Sequence, residues 1–193
     1  MSELQDTISR CEGGLDHVDR VLAQWASARP DLDTSPVAVV ARLGRAAAYV
    51  DAGVNAALAE FGLTRAAWDV LASLRRTDPP HRLSPTELYL GLMRTSGAMT
   101  HRLAGLERAG LVKRVPDPAD GRGMLVELTR KGKALVDRTA PAHLANERTL
   151  LAALSAGEQR ELATLLRKLL RTFEGEEPVP PAKARVGRRR ASP

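Results

Sequence analysis

A chain of 193 residues, 44% hydrophobic but only 3% aromatic, suffices for one compact domain or a small domain with long helical extensions, and excludes two large domains. Its wealth of Ala, Leu, Arg and Glu favours helices and excludes an all-β fold, leaving an all-α or α+β class. The formal net charge is +6, but removing Lys183, Arg185, Arg188, Arg189 and Arg190, which share an acid-free C-terminal stretch, leaves +1, so the total and the basic pI do not by themselves argue for nucleic-acid binding.

From Leu4 to Arg29 the pattern is helical, weakened by Gly13 and Gly14, with Leu15, Val18, Leu22 and Trp25 on one face. Pro30 ends it. Ser35 then serves as an N-cap with Pro36 at the first helical position, opening a long apolar-rich helix that runs to Phe61 and stops at Gly62. Thr64 caps a shorter helix from Arg65 to Arg76, broken by Asp78-Pro79-Pro80. Ser84-Pro85-Thr86-Glu87 is a capping box that predicts a short helix from Pro85 to Met93. Thr95 or Ser96 caps the next helix, which runs to Ala109, places Met99, Leu103 and Leu106 on one face, and closes at Gly110.

Two strand-like runs follow, Leu111 to Val115 and Met124 to Leu128, around the turn-forming segment PDPADGRG, which reads as a β-hairpin with a long tip. A helical pattern resumes at Arg130, is expected to bend near Pro141, and continues to Leu154; Ser155 and Glu158 then cap a last helix to Phe173, striped by Leu162, Leu165, Leu166, Leu169 and Leu170. Beyond Glu174, Gly, Pro, Ala and Arg dominate, and the few apolar groups predict a disordered basic tail. The resulting partition is 1–62 for the N-terminal helices, 63–130 for the short helices and hairpin, 131–174 for the C-terminal helices and 175–193 for the tail.

Two short helices joined by a tight turn and followed at once by a β-hairpin form the winged helix-turn-helix pattern, whose second helix enters the major groove of DNA. The fold expected is therefore α+β, mostly helical. The outer face of that helix offers Ser96, Gly97, Ala98, Thr100 and His101, small or hydrogen-bonding groups that admit close approach to base edges and phosphates. At the hairpin tip Arg122 stands between two glycines, as a minor-groove probe that Asp120 is placed to orient. Lys113, Arg114, Arg130, Lys131 and Lys133 complete a local positive cluster in a nearly neutral body.

The run TSGAMTHRLAGLERAGLVKRVPDPADGRGMLVELTRKGKAL resembles the MarR family of regulators, with the family's recognition helix, Leu-Glu-x-x-Gly-Leu junction, Asp-x-Arg wing and Leu-Thr-x-x-Gly helix start. The similarity extends from the first helix to Phe173; Gly121 departs from it, where relatives often carry a second arginine. It implies a homodimer built on the N- and C-terminal helices, and the unpartnered Leu-rich faces of those helices ask for the same arrangement. A repressor that binds a pseudo-palindromic operator on double-stranded DNA is the implied function.

The segment WASARPDLD further resembles the urate-responsive branch of that family, which has an extra N-terminal helix. Trp25, Asp69, Arg102 and Arg114 match its ligand-pocket residues. The resemblance implies an effector that is a small organic anion such as urate. An aromatic face would stack a flat purine, an arginine pair with its anionic form, and a carboxylate organise or repel it. Because Arg102 lies on the DNA-reading helix, an anion that recruits it would lower DNA affinity. Relatives in this branch also answer tricarboxylates, and four residues do not distinguish these effectors.

Other functions are less well supported. The single cysteine, Cys11, allows no intramolecular disulfide and suits a reducing cytoplasm, the expected location. It is also the candidate for a peroxide-sensing repressor, although Arg10 and Glu12 beside it give no net thiolate-stabilising charge. No signal peptide or membrane anchor is expected. His17, His81, His101 and His143 lack metal-ligand spacing, so no metal site or cofactor is predicted. Without a phosphate loop, nucleophile elbow or paired His and carboxylate, an enzyme is not expected. An architectural DNA-binding protein without an effector is the remaining alternative.

Overall fold

The computed structural model describes residues 14–92 and 96–174, with the side chains of Ser96 and Arg122 left out. Cys11, Thr95 and the basic tail thus lie outside the described residues, as do the expectations placed on them. The chain divides into two units, one ending at Leu150 and one beginning at Leu151.

In the first unit, α1 (His17–Ala28) starts later than the expected Leu4, because residues 14–16 are not helical and Asp16 is the N-cap. Its Oδ1 accepts from the N–H of Val18 (2.6 Å) and Asp19 (3.0 Å), while Asp19 Oδ2 accepts from Asp16 N (2.9 Å), a reciprocal box built from two aspartates. The long helix α2 (Ser35–Ala59) has Thr34, not Ser35, at its N-cap, one residue earlier than the Pro36 signal suggested. Arg42 of α2 reaches back to both caps of α1, with Nε 2.9 Å from Asp16 and Nη2 2.6 Å from Asp19. The Asp19 backbone N–H, and then Arg42, hold the Asp16 carboxyl below the usual range.

Gly62 ends that region at φ 69° and Leu63 N donates to Leu58 O, the glycine stop expected from the sequence. Helix α3 (Arg65–Arg76), capped by Thr64 Oγ1 on Ala67 N, buries Trp68, Val70, Leu71 and Leu74. A two-residue strand, β1 (Arg82–Leu83), follows His81, itself at φ 63°. The Ser84–Glu87 box then opens α4 (Pro85–Gly91). Next comes α5 (Ser96–Arg108), with Met99, Leu103 and Leu106 buried as its periodicity predicts, stopped at Gly110, φ 69°.

Strands β2 (Val112–Asp117) and β3 (Asp120–Leu128) form the hairpin, and the antiparallel sheet runs β1-β3-β2. The hairpin differs from expectation at its end. Pairing continues past Val115 to Asp117↔Asp120, with one irregularity at Pro116/Asp117, so the loop is two residues and not a long tip. Pro116 is tolerated because β2 is an edge strand. Val112, Val126 and Leu128 turn one face of the sheet into the core.

Helix α6 (Arg130–Leu150) runs through Pro141 as one helix, and it ends at Leu150 where the sequence suggested Leu154. Leu58, Val70, Leu71, Leu74, Leu88, Met99, Val126 and Val136 form the heart of the core, gathered from α2 to α6 and the sheet. The second unit is α7 (Ala156–Glu174), opened by the expected Ser155–Glu158 box, with no residue buried.

Candidate nucleic-acid interface and adjoining cavity

The core side of α5 fixes the helix by Met99, Leu103 and Leu106, which leaves Gly97, Ala98, Thr100 and His101 on the solvent side. Four of the five residues assigned to the groove-facing surface are therefore exposed together; the fifth, Ser96, begins the helix. Beside α5, β2 and β3 project the hairpin whose third β3 residue is Arg122. This is a helix of small side chains flanked by a two-stranded ribbon, the shape that enters a major groove while the ribbon follows the backbone.

The positive cluster at the hairpin base is more internally compensated than the sequence suggested. Lys113 Nζ lies 2.8 Å from Glu127 Oε1, with Arg82 on the other carboxylate oxygen. Lys113 foremost, then Arg82, hold the Glu127 carboxyl below its usual range against the cost of burial. Arg114 Nε lies 3.3 Å from Glu107 of α5, Lys133 Nζ 2.6 Å from Asp137, and Lys131 Nζ donates to Ala109 O at 2.8 Å, capping the end of α5. Arg130, exposed, has no ion pair among the described residues.

A cavity of about 600 Å³ opens between α2, α3 and the end of α4. Ala47 and Ala48 of α2 and Gly91 and Leu92 at the α4 terminus give it small walls, and Asp51, Arg65 and Asp69 its charges. Arg65 Nη1 pairs with Asp51 Oδ1 at 2.9 Å. Asn55 ties the two together, its Nδ2 donating to Asp51 O and its Oδ1 accepting the Arg65 backbone N–H at 3.0 Å. The Asp69 side chain makes no hydrogen bond or ion pair among the described residues, and it is half-buried.

Of the four residues expected to hold an effector, Asp69 lines this cavity and the other three do not. Trp25 is 44% exposed on α1. Arg102 is half-buried on α5, and Arg114 is engaged with Glu107 and not with Asp69. Sequence reading missed Arg65, Asp51 and Asn55; the only trace of them was a spacing of four between Arg65 and Asp69 and between Asp51 and Asn55, common on any helix. No group of metal-binding side chains occurs among the described residues, and no described helix is long and apolar enough to cross a membrane.

Residues 61–123, from just after α2 through most of the hairpin, match the model of the MarR family. The chain is 35% identical over 149 residues, 77% of its length and 90% of the relative's, to the HTH-type transcriptional regulator PecS of Dickeya dadantii. Its fold resembles Sco3205, a MarR family transcriptional regulator from Streptomyces coelicolor solved in complex with DNA, with a TM-score of 0.67, 27% identity, and coverage of 74% of this chain and 91% of that one. It also resembles the Mycobacterium tuberculosis MarR family protein Rv2887 in complex with salicylic acid, with a TM-score of 0.54, 35% identity, and coverage of 66% and 92%.

Proposed function

This chain belongs to the MarR family of DNA-binding transcriptional regulators, and from that premise we propose that it is a repressor that binds a pseudo-palindromic operator as a homodimer and is released by a small organic anion such as urate. The observation that carries the DNA reading is the exposed, small-residue face of α5 beside the β2–β3 hairpin, an arrangement similar to a relative solved on DNA. Ser96, Gly97, Ala98, Thr100 and His101 contact the major groove in this reading, and Arg122 the minor groove.

Dimerisation is supported by α7, none of whose residues is buried, and whose Leu162, Leu165, Leu169, Leu170 and Phe173 are 38% to 75% exposed in a single copy. Such a stripe is stable in water only when covered. An effector is supported by the cavity that Asp69 lines, of a size suited to a small ligand, and by a relative holding salicylic acid. Trp25, Arg102 and Arg114 complete the effector site in this reading, and Arg102 couples it to the recognition helix.

The test is titration of urate, with citrate alongside, into the protein bound to its own upstream promoter DNA, followed by gel shift. Release by urate is the expected result. Specific binding that ignores urate and yields to citrate changes the signal and keeps the regulator; specific binding indifferent to both leaves an architectural role.

A further inference from the structure

We infer that Arg65 and Asp69 form the recognition pair of the cavity, Arg65 taking the anionic edge of the effector and Asp69 an N–H on the adjacent edge, so that the site selects anions bearing an N–H donor, such as lactam heterocycles, over simple carboxylates. The inference rests on the effector reading above and names its chemistry. Arg65 is the one cation among the residues lining the cavity. Its side chain and that of Asp51 are 37% and 55% exposed, so their pair is the weak, solvent-screened kind that an incoming anion displaces.

The exchange leaves the scaffold intact. Asn55 holds the backbone N–H of Arg65 and the carbonyl of Asp51 through its amide, so the start of α3 stays fixed to α2 while the Arg65 guanidinium changes partner. Arg65 and Asp69 are separated by one helical turn and face the same cavity, presenting a fork of donors beside a carboxylate. The half-buried Asp69 carboxylate has only acceptors to offer, so an N–H beside the ligand's negative edge satisfies it. A second carboxylate at that position meets like charge. Ala47, Ala48 and Leu92 line the rest of the cavity and leave room for a small body. Gly91 and Leu92 close α4, the helix that precedes α5 in the chain, so a ligand seated here touches the end of that helix.

The test is calorimetric titration of the full-length protein without DNA, using urate as the N–H-bearing anion and benzoate as the anion without one. Wild type binds urate at least tenfold more tightly than benzoate. Arg65→Gln lowers urate affinity at least tenfold. Asp51→Asn, by freeing Arg65, raises it severalfold, a gain that a misfolded variant does not produce. Asp69→Asn narrows the urate to benzoate ratio. Unchanged urate binding in Arg65→Gln, with loss in Arg102→Gln, overturns this inference and leaves the effector reading standing; no urate binding by wild type overturns this inference and removes urate as the signal.

Discussion

Gly132, in the first turn of α6, lies against the carbonyl oxygen of Leu111 so closely that a Cβ on it would come within 2.1 Å of that oxygen. The contact closes the base of the hairpin. Thr129 Oγ1 donates toward Gly110 O (2.8 Å) and accepts from Gly132 N (3.0 Å), so the Thr and Gly of the Leu-Thr-x-x-Gly run lock the start of α6 onto the turn after α5. Gly132→Ala must move backbone, and overpacking of this kind costs on the order of 1–3 kcal/mol. Thermal unfolding of the variant is expected several degrees below wild type. Gly105→Ala is the contrast, since nothing lies within 4 Å of its Cβ position in α5; it is expected to hold or raise the midpoint, by about 0.5–1 kcal/mol of helix propensity. Equal losses in both variants would remove the Leu111 contact as the cause.

That pair shows which parts of the fold are legible in a sequence. Gly62, Gly110, Thr64 and the Ser84–Glu87 box act within one or two turns of chain, so local chemistry was enough to place the helix ends. Strand β1 was invisible because its two residues are extended only through pairing with Glu127 and Val126, over forty positions away. The hairpin was read too short for a related reason: Pro116 and Asp117 look like loop residues, and β3 supplies the partner that makes them strand. At the cavity, Asp69 was named from a resemblance, whereas Arg65 and Asp51 meet across two helices and carry no motif.

Glu127 sets the acid response of the sheet. It faces Arg82 on β1 and Lys113 on β2, and their charges keep its carboxyl ionised to a lower pH than in the unfolded chain. A depressed native value means that the unfolded state binds the proton first. The stabilisation is therefore full above the ordinary carboxylate range and lost as pH falls through the native value. Urea midpoints measured from neutral pH downward should show wild type ahead of Glu127→Gln, with the gap closing in acid. A gap that stays constant with pH would mean that Gln disturbs packing and that the ion triad contributes little.

Arg122 is proposed to reach DNA from the hairpin, and its neighbours sharpen the expectation. Lys113, Arg114 and Lys133 are engaged with Glu127, Glu107 and Asp137, so few cations at the wing base remain to replace it. Arg122→Ala should weaken binding to operator and unrelated DNA alike and reduce the magnitude of the log affinity against log salt slope by about 1. Fluorescence anisotropy over a salt series reads both. A slope equal to wild type would take this residue out of the phosphate or minor-groove contacts.

In the proposed dimer, the exposed stripe of α7 is the face that the second copy covers. Leu162, Leu165, Leu169 and Phe173 recur at three- and four-residue steps, so they form one continuous apolar face along the C-terminal two thirds of the 19-residue helix. Covering each such leucine is worth roughly 1.5–3 kcal/mol as an upper bound, enough in two copies for a stable dimer after the cost of association. Wild type should sediment as a dimer at micromolar concentration. Leu165→Glu with Leu169→Glu places four carboxylates in the joint face of a dimer and should yield monomer. The Ser155–Glu158 cap lies at the far end of the helix, so helix content by circular dichroism should change little. Because two recognition helices must span successive major-groove turns to read a pseudo-palindrome, the monomer should bind a full operator no better than a half-site. A variant that still sediments as a dimer would place the interface elsewhere, on the exposed Leu15, Trp25, Val39 and Val40 of the N-terminal segment.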